Sequence, residues 1–282
     1  MEEVINGILI REVETKNIMT KSSLPVGGYS VNPYVGCTHA CKYCYASFMK
    51  RFTGHKEEWG TFLDVKHWPE IKNPKKYAGQ RVVIGSVTDG YNPQEEQFGN
   101  TRKLLEQLIG SDADILICTK SDLVVRDIDL LKKHGRVTVS WSINTLDENF
   151  KNDMDSASSI ERRIAAMKQV YEAGIRTVCF VSPVFPGITD FEAIFERVKD
   201  QCDLFWLENL NLRGGFKKTI MDYIAGQYPD LVPLYDEIYN KHNRSYFEAL
   251  EVKAEKMAKK YDCAFVDNEM PYGRVPQGHP VI

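Results

Sequence analysis

A parallel-stranded α/β fold is what this chain predicts, and two observations predict it. From about Arg81 to Leu207, short apolar runs rich in β-branched residues alternate with stretches of helical periodicity. Strand, helix, strand, helix in that order calls for a parallel sheet with crossover helices. The apolar runs are also near-continuous rather than alternating, as strands buried on both faces are.

RVVIGS (81–86) is the first clear strand and ends at small residues. ADILICT (113–119), RVTVSWSI (136–143), RTVCFVS (176–182) and DLFWLEN (203–209) repeat the type, and CAFVD (263–267) is a candidate last strand. GYSVNPYVG (28–36) is a candidate strand further upstream. Between them, Asn92-Pro93-Gln94-Glu95 reads as a helix start, with Leu105, Leu108 and Ile109 then lining one face. Ser158 and Glu161 form a capping-box pattern ahead of Ile160, Ile164, Met167 and Tyr171, and Gly174 closes that helix. Asp190 is placed to cap FEAIFERVK, and a long helical stretch from Pro233 to Tyr261 carries Leu234, Ile238, Leu250 and Met257 inward. Residues 53–80 lack periodicity and read as an insertion or loop; PYGRVPQGHPVI (271–282) reads as irregular tail.

Composition narrows the class. With 43% apolar and 27% charged residues and a net charge of −3, the chain suits a globular protein without an overall polyanion field. A nucleic-acid substrate needs a local basic patch. KRFTGHKEEWG (50–60) and VKHWPEIKNPKKY (65–77) mix cations with aromatics in the way such binding uses, although a solvated face has the same look. The N-terminus lacks the basic and apolar regions of a signal peptide, and no run approaches the ~18 apolar residues of a spanning helix. The expectation is a cytoplasmic protein with no membrane partner. Seven unevenly spread cysteines do not make a disulfide framework, and a cluster of thiols in a reducing compartment is metal-binding or catalytic.

That cluster is Cys37, Cys41 and Cys44, on a loop between the candidate strand 28–36 and a helical stretch, YASFMKRF. A structural zinc site wants four ligands, and here the second pair is missing; His39 lies inside the knot of the loop. Three thiolates on an iron–sulfur cubane would instead leave one iron open for chemistry. Zinc, and three buried cysteines without a metal, stay as alternatives.

The spacing C-x3-C-x-aromatic-C, with Tyr43 as the aromatic, resembles the radical S-adenosylmethionine (SAM) enzymes. The likeness continues through IGSVTDGYNPQEEQFGNTRKLLE (84–106), CTKSDLVVRDIDLL (118–131), VSWSINTLD (139–147), RRIAAMKQVYEAGI (162–175) and VSPVFPGITD (181–190). Together these look like the spore photoproduct lyase-like branch. The segment from Thr20 through Glu57 is similar, more narrowly, to the radical SAM mobile pair proteins of type B, which are paired with a second radical SAM protein.

The resemblance implies a partial (β/α)6 TIM-type barrel with its site at the C-terminal mouth, where βα loops converge. On that division, residues 1–24 are an N-terminal segment, 25–210 the radical SAM core, and 211–282 a C-terminal helical extension and tail. It implies a 4Fe–4S cluster on Cys37, Cys41 and Cys44, reduced by an external electron donor, and SAM on the open iron. SAM contacts carry over to Tyr43, Thr88, Asp89, Lys120, Ser142 and Asn144. Each has a plainer reading: packing for Tyr43, a turn for Thr88-Asp89, an exposed cation for Lys120. Pro183 to Pro186 carries over as a wall near the adenine, or else is a rigid turn; Glu95, Arg126 and Arg163 are as readily helix-end or surface groups. Tyr45 and Cys118 are the candidate catalytic residues, as hydrogen-atom relay and donor, against surface and core roles. The implied reaction is hydrogen abstraction by a 5′-deoxyadenosyl radical from a nucleic acid; a peptide or protein partner, or a non-catalytic binding module, is the alternative. One departure stands out. Where spore photoproduct lyase carries its donor cysteine, this chain reads Gly85-Ser86-Val87, which puts thymine-dimer repair in doubt.

Overall fold

A computed structural model of the chain describes residues 2–22 and 28–261. Its strands are β1 (Glu2–Ile5), β2 (Ile8–Glu14), β3 (Thr20–Lys21), β4 (Tyr29–Val31), β5 (Tyr34–Val35), β6 (Phe62–His67), β7 (Arg81–Ile84), β8 (Asp114–Thr119), β9 (Arg136–Ser142), β10 (Arg176–Val184) and β11 (Leu204–Asn209). The candidate strand 263–267, Cys263 and the tail lie outside the described residues.

Six strands run parallel and lie side by side in chain order: β4, β7, β8, β9, β10, β11. β3 joins β4 antiparallel at the edge. This is the wall of the expected partial barrel, open between β11 and β3 among the described residues. Alternate strand residues point to opposite faces. Ile84, Ile117, Val139, Trp141 and Val181 pack under the helices with Leu105, Ile164, Met167 and Ile194, all almost wholly buried. Cys118, Ser140 and Ser142 alternate with them and so line the other, inner face.

Most elements follow the sequence closely, and the exceptions have physical causes. The expected strand 28–36 is two strands in two sheets. Asn32 and Pro33 turn the chain out of the large sheet, and β5 pairs instead with β6 in a small sheet ordered β1-β2-β6-β5. Residues 53–80 are therefore not simply a loop: β6 is the centre of that small sheet, with Phe62, Leu63 and Val65 fully buried. The N-terminal segment is its other half, a hairpin turned at Asn6-Gly7 and laid parallel to β6.

The helix expected after Pro93 is broken at Gly99 (φ +61°) into Glu95–Phe98 and Asn100–Gln107, and Ile109 beyond it is exposed. Ser159, not Ser158, caps helix Ile160–Glu172 by accepting from Arg162 N at 3.3 Å. Ser158 is engaged elsewhere, donating to Asp122 at 2.6 Å. Tyr171 on that helix is exposed. Asp190 does cap Phe191–Val198, accepting from Ala193 N at 3.0 Å. The long C-terminal stretch is two helices, Val232–Tyr239 and Ser245–Lys260, separated around His242 (φ +57°).

Candidate active site

The cysteines occupy the loop after β5. Gly36 makes the turn into it at φ +85°, where a methyl group would sit 2.4 Å from the Phe62 carbonyl oxygen, so only glycine fits. Turn bonds knot the loop: Ala40 N donates to Cys37 O at 3.2 Å and Cys44 N to Cys41 O at 3.1 Å. Cys37 is buried, Cys41 and Cys44 half-buried. The thiols sense one another. Burial, then the nearby Asp89 carboxylate, pushes Cys37 up to about 12, and Cys44 adds to the effect. Burial also raises Cys41 and Cys44, and Lys120 pulls both part of the way back. A metal centre that supplies positive charge would favour their ionised, ligating form.

Two carboxylates hold the loop. Asp89 follows β7 and accepts from Tyr91 N at 2.9 Å, Lys120 N at 2.7 Å, Thr119 Oγ1 at 2.9 Å and the His39 ring at 3.0 Å. A carboxylate has about four acceptor positions, and these four donors fill them. Thr88 Oγ1 donates to Gly36 O. Both side chains are engaged in pinning the cysteine loop to β7 and β8.

Asp155, which no motif announces, works from the other side. Its carboxylate is 2.8 Å from Arg163 Nη2 and 3.5 Å from Lys151 Nζ, accepts from Ala157 N at 3.0 Å, and receives the Tyr43 hydroxyl at 3.2 Å. Tyr43 itself is buried, edge-on to Phe185 at 5.5 Å and grouped with Phe150 and Met154. Its ring anchors the loop against that apolar group. Arg163 is spent as well, donating to Ser142 O at 3.0 Å and Ser158 O at 2.8 Å. Arg126 likewise binds Glu95 at 2.7 Å and Asp127 at 2.8 Å, a buried network under the helix start.

Lys120 stands between the two sides. Burial acts to lower its pKa, but Cys41 and Asp155 outweigh it and carry the ammonium above the usual lysine value. Its Nζ lies 5.7 Å from the Tyr43 ring centre. Ser142 ends β9, and Asn144 just beyond is buried, its carbonyl accepting from Thr189. Cys118 is on β8 beside Ser140, within range of Asp89, Lys120 and Glu208, and burial pushes its thiol up to about 12. Tyr45 has an exposed ring and donates to Ser86 O, at the place of the departure noted in the sequence.

A thiolate-held cubane and a small polar ligand fit this mouth. Among the described residues, no three His, Cys, Asp or Glu side chains are spaced for a single metal ion; a cubane takes each thiolate at a separate corner. His39 Nδ1, Trp59 Nε1, Asn144 Nδ2 and Asn209 Oδ1, all in or beside the mouth, are buried without a hydrogen-bond partner. Buried polar atoms are normally paired, so these mark a surface shaped for a further polar group.

A parallel barrel wall with three thiols, a lysine and orphaned polar atoms at its C-terminal mouth defines a cofactor-dependent α/β-barrel enzyme. The chain belongs to the radical SAM superfamily, whose family model matches residues 31–198. It is 36% identical over 236 residues to an uncharacterized protein of Methanocaldococcus jannaschii, covering 83% of this chain and 88% of that one. It is 27% identical over 180 residues to a radical SAM Nalpha-GlyT isomerase of Pseudomonas phage M6, covering 62% of this chain but 36% of that protein. Among solved structures, a spore photoproduct lyase with bound AdoMet and dinucleoside spore photoproduct superposes with a TM-score of 0.56 at 18% identity, over 78% of this chain and 66% of the lyase. That likeness shows a shared fold. No helix among the described residues is long and apolar enough to cross a membrane.

Proposed function

We propose that this protein is a radical SAM enzyme that binds one 4Fe–4S cluster through Cys37, Cys41 and Cys44, binds SAM beside Lys120, and abstracts hydrogen from a nucleic-acid substrate. The observation that carries this is the place of Lys120 at the end of β8, its Nζ 5.7 Å from the ring of Tyr43, which stands between Cys41 and Cys44 on the cysteine loop. When bound, the cluster and SAM supply a 5′-deoxyadenosyl radical. The residues of this chain then have distinct tasks. Lys120 offers a charge-assisted hydrogen bond to the SAM carboxylate. Ser142 and the unpaired Asn144 amide add neutral donors. Thr88, Asp89, Tyr43 and Asp155 position the loop. Cys118, kept as a neutral thiol on the inner face, has an S–H to return to a substrate radical, and Tyr45 is the candidate relay.

Nucleic acid is favoured by the exposed rings of Phe48 and Phe52 beside Lys50 and Arg51, which adjoin Cys44. Bases stack on such rings while the cations meet phosphate. The structural neighbour solved with a dinucleoside points the same way.

The test is anaerobic reconstitution with iron and sulfide, reduction by dithionite, addition of SAM, and chromatography for 5′-deoxyadenosine. Wild type is expected to form it and Cys41→Ala to form none. An assembled cluster that never cleaves SAM, with or without oligonucleotides, would return the protein to the binding-module reading. Cleavage stimulated by a peptide and not by oligonucleotides would overturn the substrate class alone.

A further inference from the structure

The barrel has a second mouth, at the opposite end from the cysteines. Its wall is made by the residues that open the strands: Arg81 on β7, Asp114 on β8, Arg136 on β9 and Arg176 on β10. They stand in register, Arg81 beside Asp114 and Asp114 beside Arg136. Side chains alternate between the faces of a strand, so Asp114 shares the inner face with Cys118, and Arg136 shares it with Ser140. With Leu116, and with Leu204 and Trp206 of β11, these residues line a cavity of about 1010 Å³. That is room enough for a small organic molecule.

The cavity has a cationic rim and an apolar floor. Arg81 is paired with Asp114 at 2.6 Å, and Asp114 is the only carboxylate among the lining residues. Arg136 gives one bond to the Asp112 carbonyl at 3.3 Å. Among the described residues, no carboxylate pairs with Arg136, with Arg176 or with Lys132, which lies on the same rim. Three cations without counter-charges around one opening attract an anion. Guanidinium groups suit phosphate in particular, because two N–H donors can bind it side by side. The floor is Leu116 and Leu204, both buried, and the Trp206 indole, which meets Phe180 edge-to-face at 6.1 Å. His134 is on the wall as well, and its Nε2 is buried with no hydrogen-bond partner. Such an atom is rare in a folded protein and marks a place for a further polar group.

We propose that this lower mouth binds a nucleoside phosphate, with the phosphates on Arg136, Arg176 and Lys132 and the base against Trp206. An aromatic ring beside cations holds a base and its phosphate together. The His134 ring nitrogen then meets the sugar or a base edge. None of these residues belongs to the cysteine loop, so the inference stands apart from the reading of Cys37, Cys41 and Cys44.

The reconstituted full chain is titrated calorimetrically with ADP, GDP, CDP and UDP in turn, and with pyrophosphate. At least one nucleotide is expected to bind, and more tightly than pyrophosphate. Arg136→Ala combined with Arg176→Ala is expected to weaken that nucleotide about tenfold. Both side chains are exposed, so the variant should keep its melting temperature. Trp206→Leu should weaken the nucleotide and leave pyrophosphate unchanged; if it does not fold, the wild-type comparison of nucleotide with pyrophosphate decides that half. Lys120→Met, at the other mouth, should keep the nucleotide affinity. No binding of any of the four nucleotides overturns the proposal, as does an affinity unchanged in the double arginine variant. Pyrophosphate bound as tightly as the nucleotide overturns it in favour of a bare anion site. Competition by SAM, or loss of binding in Lys120→Met, moves the nucleotide to the cysteine end and overturns it too. A chain that assembles no cluster and still binds nucleotide through the arginines supports this proposal while the cysteine reading fails.

Discussion

The cysteine loop rests between two buried carboxylates that hold it by different means. Asp89 is satisfied mainly by dipoles, two backbone N–H groups and a threonine hydroxyl, with the His39 ring as its fourth partner. Asp155 is satisfied mainly by cations, Arg163 and Lys151, with Lys120 in range. Burial would raise both acids. His39 and the N–H donors hold Asp89 below its ordinary value, and Arg163, Lys120 and Lys151 do the same for Asp155. Fixed dipoles lock one geometry and spread little charge. A carboxylate among cations also sets the field its neighbours feel: Asp155 raises Cys41, while Lys120 lowers it. The Asp89 side is the clamp and the Asp155 side the electrostatic wall.

Breaking the wall should cost most. Asp155→Asn leaves Arg163 and Lys151 buried without their counter-charge, and removing one partner of a buried pair costs about 3–5 kcal/mol. Denaturant unfolding reads this directly; a loss no larger than that of Asp89→Asn would erase the distinction. Lys120→Met comes next. It should leave cluster absorbance intact and weaken SAM binding ~10–100-fold, the equivalent of about 1.5–3 kcal/mol for a hydrogen bond to a charged group. Calorimetric titration of the reconstituted protein checks it, and unchanged affinity would remove Lys120 from the SAM site. Asp89→Asn sharpens the clamp: an amide turns an NH2 on donors that need an acceptor, at a cost of about 1–3 kcal/mol. Cluster assembly in that variant should slow more than its stability falls.

The smallest effect is the pH response. Both acids have folded-state pKa values below the ordinary 3.8. Their contribution is complete above that value and is lost as pH falls through the folded-state values. Stability should drop on acidification below ~4, with a shallower slope in either Asn variant. An acid limb identical in all three proteins would assign the drop to other groups.

The strand set was legible because those strands are buried on both faces and short enough to be unambiguous. β8 and β10 begin within a residue of where the apolar runs do. The small sheet was harder to see. The apolar run Phe62, Leu63 and Val65 is too short to stand out among the surrounding lysines and prolines, although Asn6-Gly7 is a strong hairpin signal that the N-terminus carries openly. Cys37, Cys41 and Cys44 could be found by spacing alone. Asp155 and Lys151 could not: their partners are Tyr43, on the cysteine loop, and Arg163, on the next helix, so only the folded contacts bring them together. Thr88 and Asp89 are legible as a turn pair at a strand end, but not as the clamp on the cysteine loop. A turn pair at a strand end looks the same whether its carboxylate faces a ligand or the chain's own N–H groups.

The chain leaves the large sheet at Asn32 and Pro33, and this fixes a timetable for synthesis. The cysteines are made before most of the groups that seat them: first β6, then Asp89 and Lys120, then Asp155, and last Phe185, which packs on Tyr43. At ~5–20 residues per second, Asp155 follows Cys44 by roughly 5–20 s. For that interval the nascent chain carries three thiols on an unseated loop, open to oxidation or to a stray metal. On the proposed reading of these thiols, cluster loading belongs after most of the barrel has left the ribosome.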